Sequence, residues 1–184
     1  MRILYTASEA LPYAASGGLA DVAGSLPAAL CKAGHDCRVV LPLYKSVKPE
    51  LRKDLRFLMN FTVDVGWRKQ YCGVFEGHAN NVTYYLLDNE YYYARDGLYG
   101  FYDDCERFVF LSRAVMELIR HIDWKPQIIN CNDWQTALVP VYYQTYYKYQ
   151  HGYEDIKTVF TIHNIQYQGK YGMDVLNEVM GIPM

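Results

Sequence analysis

Four short polar segments of this chain carry side chains whose types and spacing could do chemistry. They are Ser8-Glu9, SGGLADV at 16–22, Asn132-Asp133-Trp134 and His163-Asn164. Most of them follow a short apolar run that is typical of a buried strand. In an open parallel sheet, ligands bind beyond the carboxyl ends of the strands. The sequence therefore predicts that these polar groups meet at one edge of a sheet.

Gly17 and Gly18 stand immediately before a predicted helix. Two glycines there would let the backbone approach a phosphate closely, and the helix N-terminus would offer free N–H groups and a positive dipole end. A turn that needs positive φ angles explains the two glycines equally well. The spacing is not that of the G-x-G-x-x-G fingerprint, so NAD binding is not indicated.

His163 and Asp133 each admit a chemical and a structural role. His163 could donate a hydrogen bond to a substrate oxygen, but the residues alone slightly favour a structural histidine bonded to the backbone. Asp133 stands where the N-cap of a helix belongs, and capping is the better explanation of its position. The pair Asp103-Asp104 suggests a metal site or a cap, and the cap is favoured. No two aspartates are separated by one residue, which argues against a D-x-D metal site.

The elements that must position these groups begin with a strand–helix–strand unit. Residues 3–7 form a short continuous apolar run, and RVVLPL at 38–43 predicts a second buried strand, as expected of strands buried on both faces. Between them, apolar residues recur at spacings of three and four over 19–30, which predicts a helix. Pro27 lies inside that helix, so we expect a kink or a restart near Ser25. Such a unit is normally parallel and right-handed.

Residues 57–88 have a different pattern, which predicts antiparallel hairpins. Apolar residues alternate at period two over 57–65, and two short runs at 74–79 and 82–87 are flanked by turn residues. A helix is then expected from Asp103-Asp104 to about His121, with its apolar residues on one buried face.

The last third returns to alternating strands and helices. We expect a strand at 127–131, a helix that begins at Asp133, a strand at 157–162, and a short helix in the tail at 173–184. The chain as a whole predicts an α/β fold, with a Rossmann-like, doubly wound, mostly parallel sheet and an antiparallel hairpin insertion.

Composition limits the possible classes of protein. The chain has 184 residues, is 51% hydrophobic and carries a net charge of −2, which suits one globular domain. No basic excess exists to bind nucleic acid, and no apolar stretch approaches the roughly 20 residues that a membrane helix needs. The five cysteines have no C-x-x-C spacing, so no disulfide framework or zinc ribbon is indicated and a cytoplasmic location fits best.

Tyrosine is unusually frequent, with 19 residues against 7 phenylalanines. Tyrosine rings could stack on sugar faces while their hydroxyls form hydrogen bonds, but half-buried packing is the expected role of most of them. Tyr142, Tyr143, Tyr146 and Tyr147 form a patch at helical spacing that we expect to pack on another element.

Four motifs together resemble a known family. MRILYTASEALPYAASGGLADVAGSLPAAL resembles the N-terminus of bacterial glycogen synthases and plant starch synthases. DGLYGFYDDCERFVFLSRAVME, NCNDWQTALVP and TVFTIHNIQYQGKYG resemble later blocks of that family, in the same order. The resemblance spans essentially the whole chain.

The resemblance implies a GT-B enzyme, in which two Rossmann-like domains face each other across a cleft. Such an enzyme transfers glucose from ADP-glucose, sometimes UDP-glucose, to the non-reducing end of an α-1,4-glucan with retention, and needs no metal or bound cofactor. Residues 1–184 would then be most of the N-terminal, acceptor-side domain, without the C-terminal nucleotide-sugar domain, and inactive alone. A non-catalytic glucan-binding module is the alternative, and no nucleic-acid or membrane partner is expected.

The resemblance also assigns roles to residues at matching positions. His163 and Asp133 would be the catalytic residues, Trp134 would line the same region, and Ser16, Gly17 and Gly18 would approach the donor diphosphate. Further substrate contacts are implied for Glu9, Asp21, Tyr93 and Asn164. Two positions depart from the family pattern, since Ala15 stands where a lysine is best known and Asn132 where a histidine is common.

Overall fold

The centre of the molecule is a mixed sheet of seven strands in the computed structural model, which describes residues 1–183. The strands are β1 (Arg2–Thr6), β2 (Asp36–Pro42), β3 (Arg56–Val65), β4 (Arg68–Ala79), β5 (Val82–Asp88), β6 (Ile128–Asn132) and β7 (Lys157–Thr161). Their order is β3-β4-β5-β2-β1-β6-β7. Strands β5, β2, β1, β6 and β7 run parallel, and β3-β4-β5 are antiparallel neighbours. The predicted α/β fold with a hairpin insertion is confirmed.

The order of the strands places a crevice beside β1. The chain moves from β1 to β2 on one side of the sheet and later returns to add β6 on the other side. The connections after β1 and β6 therefore diverge, and a ligand crevice opens at such a switch point. The strands themselves are fixed by burial, because Leu4, Val39 and Ile129 are fully buried and parallel strands with helices on both faces must be apolar throughout.

Within residues 1–183, six α-helices accompany the sheet. They are α1 (Gly18–Lys32), α2 (Pro49–Lys53), α3 (Glu90–Tyr93), α4 (Asp104–His121), α5 (Leu138–Tyr142) and α6 (Val175–Glu178). The expected restart near Ser25 is wrong, since α1 continues through Pro27 as one helix. A proline removes a single backbone donor, and the burial of Pro27 against the core offsets that loss.

Helix α4 has the predicted bounds, but its start is not capped as expected. The side chains of Asp103 and Asp104 make no cap hydrogen bond. Asp103 instead binds Arg95 through two hydrogen bonds of 2.5 and 2.7 Å, and Asp104 binds Arg107 at 2.6 Å. A carboxylate gains more from a nearby guanidinium than from a backbone N–H, because both partners are then charged.

The prediction of one continuous helix after Asp133 is wrong. A 3₁₀ turn (Trp134–Thr136), α5 and a π turn (Tyr143–Tyr147) follow one another. The predicted packing of the tyrosine patch is confirmed: Tyr142 and Tyr147 are buried, and the guanidinium of Arg113 on α4 lies 4.9 Å from the ring centre of Tyr142. Both rings thus pack on α4, Tyr142 from the end of α5 and Tyr147 from the π turn.

Strand β7 is the least covered part of the sheet. Val159 and Phe160 on successive positions are 44% and 43% exposed, so both faces of this strand carry accessible apolar surface. In the tail, α6 is shorter than the helix expected at 173–184, and Met184 lies outside the described residues. Within residues 1–183 no helix is both long and apolar enough to cross a bilayer.

Candidate functional site

A cavity of about 970 Å³ opens at the carboxyl ends of β1, β6 and β7. Its wall is formed by segments that follow those strands, together with the start of α1 and the loop before α4. The lining residues are Glu9, Ser16, Gly17, Gly18, Leu19, Val22, Tyr99, Gly100, Asp104, Asp133, Trp134, Gln135, His163, Asn164, Gln166, Tyr167, Gln168, Gly169, Lys170 and Tyr171. The predicted convergence of polar groups at one sheet edge is therefore present.

The first wall is built on Glu9, which is only 3% exposed. Its Oε2 accepts hydrogen bonds from the backbone N–H and from the hydroxyl of Ser16, at 2.5 and 2.7 Å. A buried carboxylate needs such donors, and two of them on one residue fix that residue firmly. Glu9 thus holds the chain at the point where it turns into α1.

The backbone conformation does not require glycine at position 17 or 18. Gly17 has φ −160°, an extended conformation open to any residue, and Gly18 is the first residue of α1. The turn with positive φ angles, one of the two explanations considered from spacing, is therefore wrong. A Cβ on Gly18 would meet no atom within 4 Å, and one on Gly17 would meet only Glu9 Oε1 at 3.8 Å. The two glycines leave the cavity floor open at a helix N-terminus.

Asp133 has an unusual backbone and an unexpected hydrogen-bond partner. Its φ and ψ are 57° and 179°, a combination that costs a non-glycine residue about 1–3 kcal/mol. Its side chain makes no cap hydrogen bond, so the capping role is wrong. Oδ1 instead accepts from the backbone N–H of His163 at 2.8 Å and, at the longer distance of 3.4 Å, from that of Asn164.

The imidazole of His163 also has a defined partner. Nε2 lies 2.8 Å from Oδ1 of Asn132, at the end of β6. The structural histidine bonded to the backbone is therefore not what is found, because the ring is held by a side chain. Asp133 therefore holds the backbone of residues 163 and 164, and Asn132 holds the imidazole ring of His163.

An aromatic wall closes the cavity beside α4. The ring of Trp134 packs edge-on against Phe108 with centroids 5.1 Å apart, and against Tyr171 at 6.0 Å. Gly169 lies so close that a Cβ on it would be 2.2 Å from the Trp134 ring. The segment 164–171 is thus seated on Trp134.

The remaining wall is the loop before α4, held from beneath by Arg107. The Arg107 side chain is fully buried and donates to the carbonyls of Tyr92 and Leu98 at 2.8 and 3.0 Å. Asp104, its ion-pair partner, accepts from the backbone N–H of Gly100 at 2.8 Å. Tyr99 then reaches Ser8 through their hydroxyls at 2.7 Å, and burial raises the pKa of Tyr99.

Most of the residues predicted for the site lie on the cavity wall, and two do not. Those on the wall are Glu9, Ser16, Gly17, Gly18, Asp133, Trp134, His163 and Asn164. The substrate contact expected of Tyr93 is not found. Tyr93 is fully buried in the core, and its hydroxyl donates to the carbonyl of Arg107 at 3.0 Å. Asp21 is exposed on the first turn of α1 and does not line the cavity. The side of that helix which faces the cavity carries Leu19 and Val22 instead.

Sequence reasoning missed several wall residues. Among them are Tyr99, Gly100, Asp104, Gln135, Lys170 and Tyr171. Lys170 is the one lysine or arginine on this wall among residues 1–183. Gln135 is 8% exposed, and its Oε1 has no hydrogen-bond partner in the described part of the chain. Only the adjacency of Gln135 to the Asp133-Trp134 pair could have pointed to it.

Comparisons with known proteins place this chain in a family. A family described as the starch synthase catalytic domain matches residues 2–184. The glycogen synthase of Clostridium botulinum (strain Alaska E43 / Type E3) is 53% identical over 182 residues, covering 98% of this chain and 38% of that protein. That of Clostridium beijerinckii is 52% identical over 185 residues, covering 100% of this chain and 39% of that protein. The chain thus spans under two fifths of the length of these relatives.

One solved structure gives the same picture in three dimensions. The catalytic domain of starch synthase IV from Arabidopsis thaliana, bound to ADP and acarbose, superposes with a TM-score of 0.89 at 31% identity. The match covers 96% of this chain and 36% of that chain.

Proposed function

The chain belongs to the starch synthase catalytic domain family, and we propose that it forms the acceptor-side part of a glucosyltransferase. In this proposal the whole enzyme transfers glucose from ADP-glucose to the non-reducing end of an α-1,4-glucan and retains the anomeric configuration. Support for the substrates comes from the starch synthase IV structure, which contains ADP and acarbose.

The observation that carries this proposal is the meeting of two kinds of group in one cavity. An open helix N-terminus at Gly17-Gly18 and the turn that carries His163 line the same space. The first suits a diphosphate, because backbone N–H groups and the helix dipole favour negative charge. The second suits a sugar, because an imidazole can exchange hydrogen bonds with hydroxyl groups.

The chemistry assigned to the site follows from how charge develops. When the glycosidic bond to the diphosphate breaks, the leaving group gains negative charge and the anomeric carbon becomes oxocarbenium-like, as in glycosidases. We assign the N-terminus of α1 to the leaving group, with Lys170 as a further cation on the cavity wall. Asp133 and His163 orient the transferring glucose, and Trp134 offers a ring for the acceptor to stack on.

We also propose that residues 1–184 are most of one Rossmann-like domain and that the nucleotide-sugar domain lies in the remainder that the relatives possess. The exposed apolar faces of β7 support this, since Val159 and Phe160 sit on opposite sides of the strand and are each more than two-fifths exposed. Scattered apolar exposure is ordinary, but a strand exposed on both faces calls for further covering.

A chimera tests the proposed function directly. Residues 1–184 of this chain are joined to the remaining part of the Clostridium botulinum glycogen synthase, and incorporation of labelled glucose from ADP-glucose into glycogen is measured. We expect transfer by the chimera and none by the 184-residue chain alone. A chimera that unfolds cooperatively but transfers no glucose, beside an active parent enzyme, would contradict the proposal.

The same chimera carries the matched variants. His163→Ala should lower kcat by about 100-fold, because loss of one positioned group in an active site has that order of effect. Tyr102→Ala is the control, since Tyr102 is 92% exposed and outside the cavity wall, and should keep the parent rate. Equal activity of the His163 variant and the control would remove His163 from the site.

A further inference from the structure

One buried amide, Asn132, determines how the imidazole of His163 is presented. Asn132 is the last residue of β6 and is 1% exposed, and its Oδ1 lies 2.8 Å from Nε2 of His163. We propose that Asn132 is a positioning residue that fixes His163 as the Nε2–H tautomer and leaves Nδ1 to accept a hydrogen bond. Only the catalytic consequence of this assignment rests on the proposed function.

The orientation of the Asn132 amide follows from its other partners. Nδ2 donates to the backbone carbonyl of Thr6 at 2.9 Å and to Oδ1 of Asn130 at 2.8 Å. A backbone carbonyl can only accept, so the amide nitrogen must face Thr6 and the amide oxygen must face His163. The reversed amide would bring its oxygen against the Thr6 carbonyl, with both groups buried and unpaired.

The backbone of Asn132 is fixed as well. Its N–H donates to Oγ1 of Thr136 at 2.7 Å, and that hydroxyl donates to the carbonyl of Asn132 at 2.9 Å. Thr136 is fully buried, so neither bond competes with bulk water. A fully satisfied buried network of this kind is rigid, and Asn132 therefore presents its oxygen at one place.

The tautomer of His163 follows from that oxygen. Because Oδ1 of Asn132 can only accept, Nε2 of His163 must carry the proton. A neutral imidazole has one N–H, so Nδ1 then holds a lone pair. Within residues 1–183 the ring hydrogen bond of His163 is the one at Nε2, which leaves Nδ1 available to a ligand.

An accepting Nδ1 selects the kind of group that it can bind. It pairs with a hydroxyl, which donates, and is repelled by a phosphate oxygen, which only accepts. His163 therefore belongs to the sugar side of the cavity, whereas the N–H groups of the α1 N-terminus suit the diphosphate. By fixing the tautomer of His163, Asn132 thus favours a hydroxyl-bearing ligand on one side of the cavity, while the N-terminus of α1 favours an anion on the other.

Nuclear magnetic resonance of the 184-residue chain tests the tautomer without any turnover. Long-range proton–nitrogen correlation spectra are recorded about 2 pH units above the ordinary imidazole pKa of ~6.5, and the His163 signals are assigned by their loss in His163→Gln. We expect a protonated Nε2 and an unprotonated Nδ1. A dominant Nδ1–H tautomer in the unmutated chain would overturn the proposal.

Two variants then separate positioning from general stability. Asn132→Leu keeps the branching at Cγ but removes the acceptor, and should give a mixture of both tautomers. Thr6→Val removes a neighbouring hydrogen bond, from Oγ1 to the carbonyl of Asn130 at 3.1 Å, and should leave the His163 signals unchanged. An unchanged tautomer in a folded Asn132→Leu chain counts against the role, and if that variant does not fold, the smaller Asn132→Ala, which removes the same acceptor, must give the same mixture.

The kinetic consequence is measured separately in the chimera described above. Asn132→Leu should lower kcat roughly 10- to 100-fold with little change in the KM of the donor, as expected when a catalytic group is displaced by about 1 Å. Thr6→Val should keep kcat. An unchanged kcat in Asn132→Leu would overturn the catalytic consequence, and absence of transfer in every form would overturn the proposed function while leaving the tautomer result intact.

Discussion

The carboxylate of Asp133 accepts a hydrogen bond from the backbone N–H of His163 at 2.8 Å, and so ties together the turns that follow two neighbouring strands. Asp133 comes directly after β6, and its own N–H donates to the carbonyl of Thr161 at the end of β7. The φ of 57° at Asp133 bends the chain sharply at that point. Strain at a site is stable only when surrounding contacts hold it, and these two hydrogen bonds provide such contacts.

Replacement of Asp133 should therefore release the turn that carries His163. We expect Asp133→Ala to lower the free energy of unfolding by about 1 kcal/mol, the usual value of one hydrogen bond, and to speed exchange of the His163 amide hydrogen. Asp133→Asn retains an accepting oxygen and should keep the protection of that amide. Hydrogen exchange followed by NMR measures both, and equal protection in the alanine and asparagine variants would show that the clamp has no effect.

Replacement of Gly18 at the start of α1 by alanine should leave the stability of the fold intact but weaken binding of the donor. At Gly18 the added methyl group meets nothing within 4 Å, and alanine is preferred to glycine in helices by up to about 1 kcal/mol. Gly18→Ala should therefore unfold at the same or a higher temperature. In the chimera it should raise the KM for ADP-glucose, because the methyl group enters the space assigned to the diphosphate.

Gly24 in the same helix is the matched control for that experiment. A Cβ there would lie 2.9 Å from Cβ and 3.0 Å from the carbonyl oxygen of Leu11. Gly24→Ala should therefore lower the unfolding temperature, in contrast to Gly18→Ala. A Gly18→Ala enzyme with an unchanged donor KM would remove the N-terminus of α1 from the diphosphate site.

The sequence predicted the sheet and the location of the site because burial on both faces leaves a clear signal. Apolar runs located β1, β2 and β6 within two residues, and the polar residues after them marked the cavity. Tyr93 was misplaced because nothing in its own segment shows that Arg107 would be buried beside it, with Tyr44 packed on its ring at 5.4 Å. Gln135 and Lys170 were missed because their approach to the cavity depends on the 3₁₀ turn and on a loop, and neither has a periodic pattern.

The contact between Gly169 and Trp134 should make the 164–171 segment sensitive to a single methyl group. Gly169→Ala places a Cβ within 2.2 Å of the Trp134 ring, so the segment or the ring must move, at a cost of about 1–3 kcal/mol for overpacking. Urea unfolding measures that loss, and the tryptophan emission should shift as Trp134 gains access to water. Gln168→Ala, which adds no bulk beside the ring, is the control and should leave the emission unchanged.

The ion pair between Asp103 and Arg95 should make the stability of the chain depend on pH in the acid range. Burial alone would raise the pKa of Asp103, but two hydrogen bonds from Arg95 and its charge hold that pKa below the ordinary value of 3.8. A carboxyl group whose folded-state pKa is depressed stabilises the protein above its unfolded-state pKa, near 3.9, and loses that effect as the pH falls through the folded value. The contribution is therefore complete at neutral pH and is lost progressively as the pH falls below about 4.

Asp103→Asn should accordingly lower the free energy of unfolding at neutral pH by about 1–2 kcal/mol, the range for a hydrogen-bonded charged pair that is partly shielded from water. The difference between this variant and the unmutated chain should shrink as the pH falls below about 4, because both forms then lack the charge. Asp96→Asn is the matched control, since Asp96 pairs with Lys45 at 2.8 Å but both side chains are well exposed, and exposed pairs contribute little. Urea unfolding of the three proteins across the acid range measures these differences. A gap between Asp103→Asn and the unmutated chain that stays constant with pH would mean that packing, rather than the charge of Asp103, holds this end of α4.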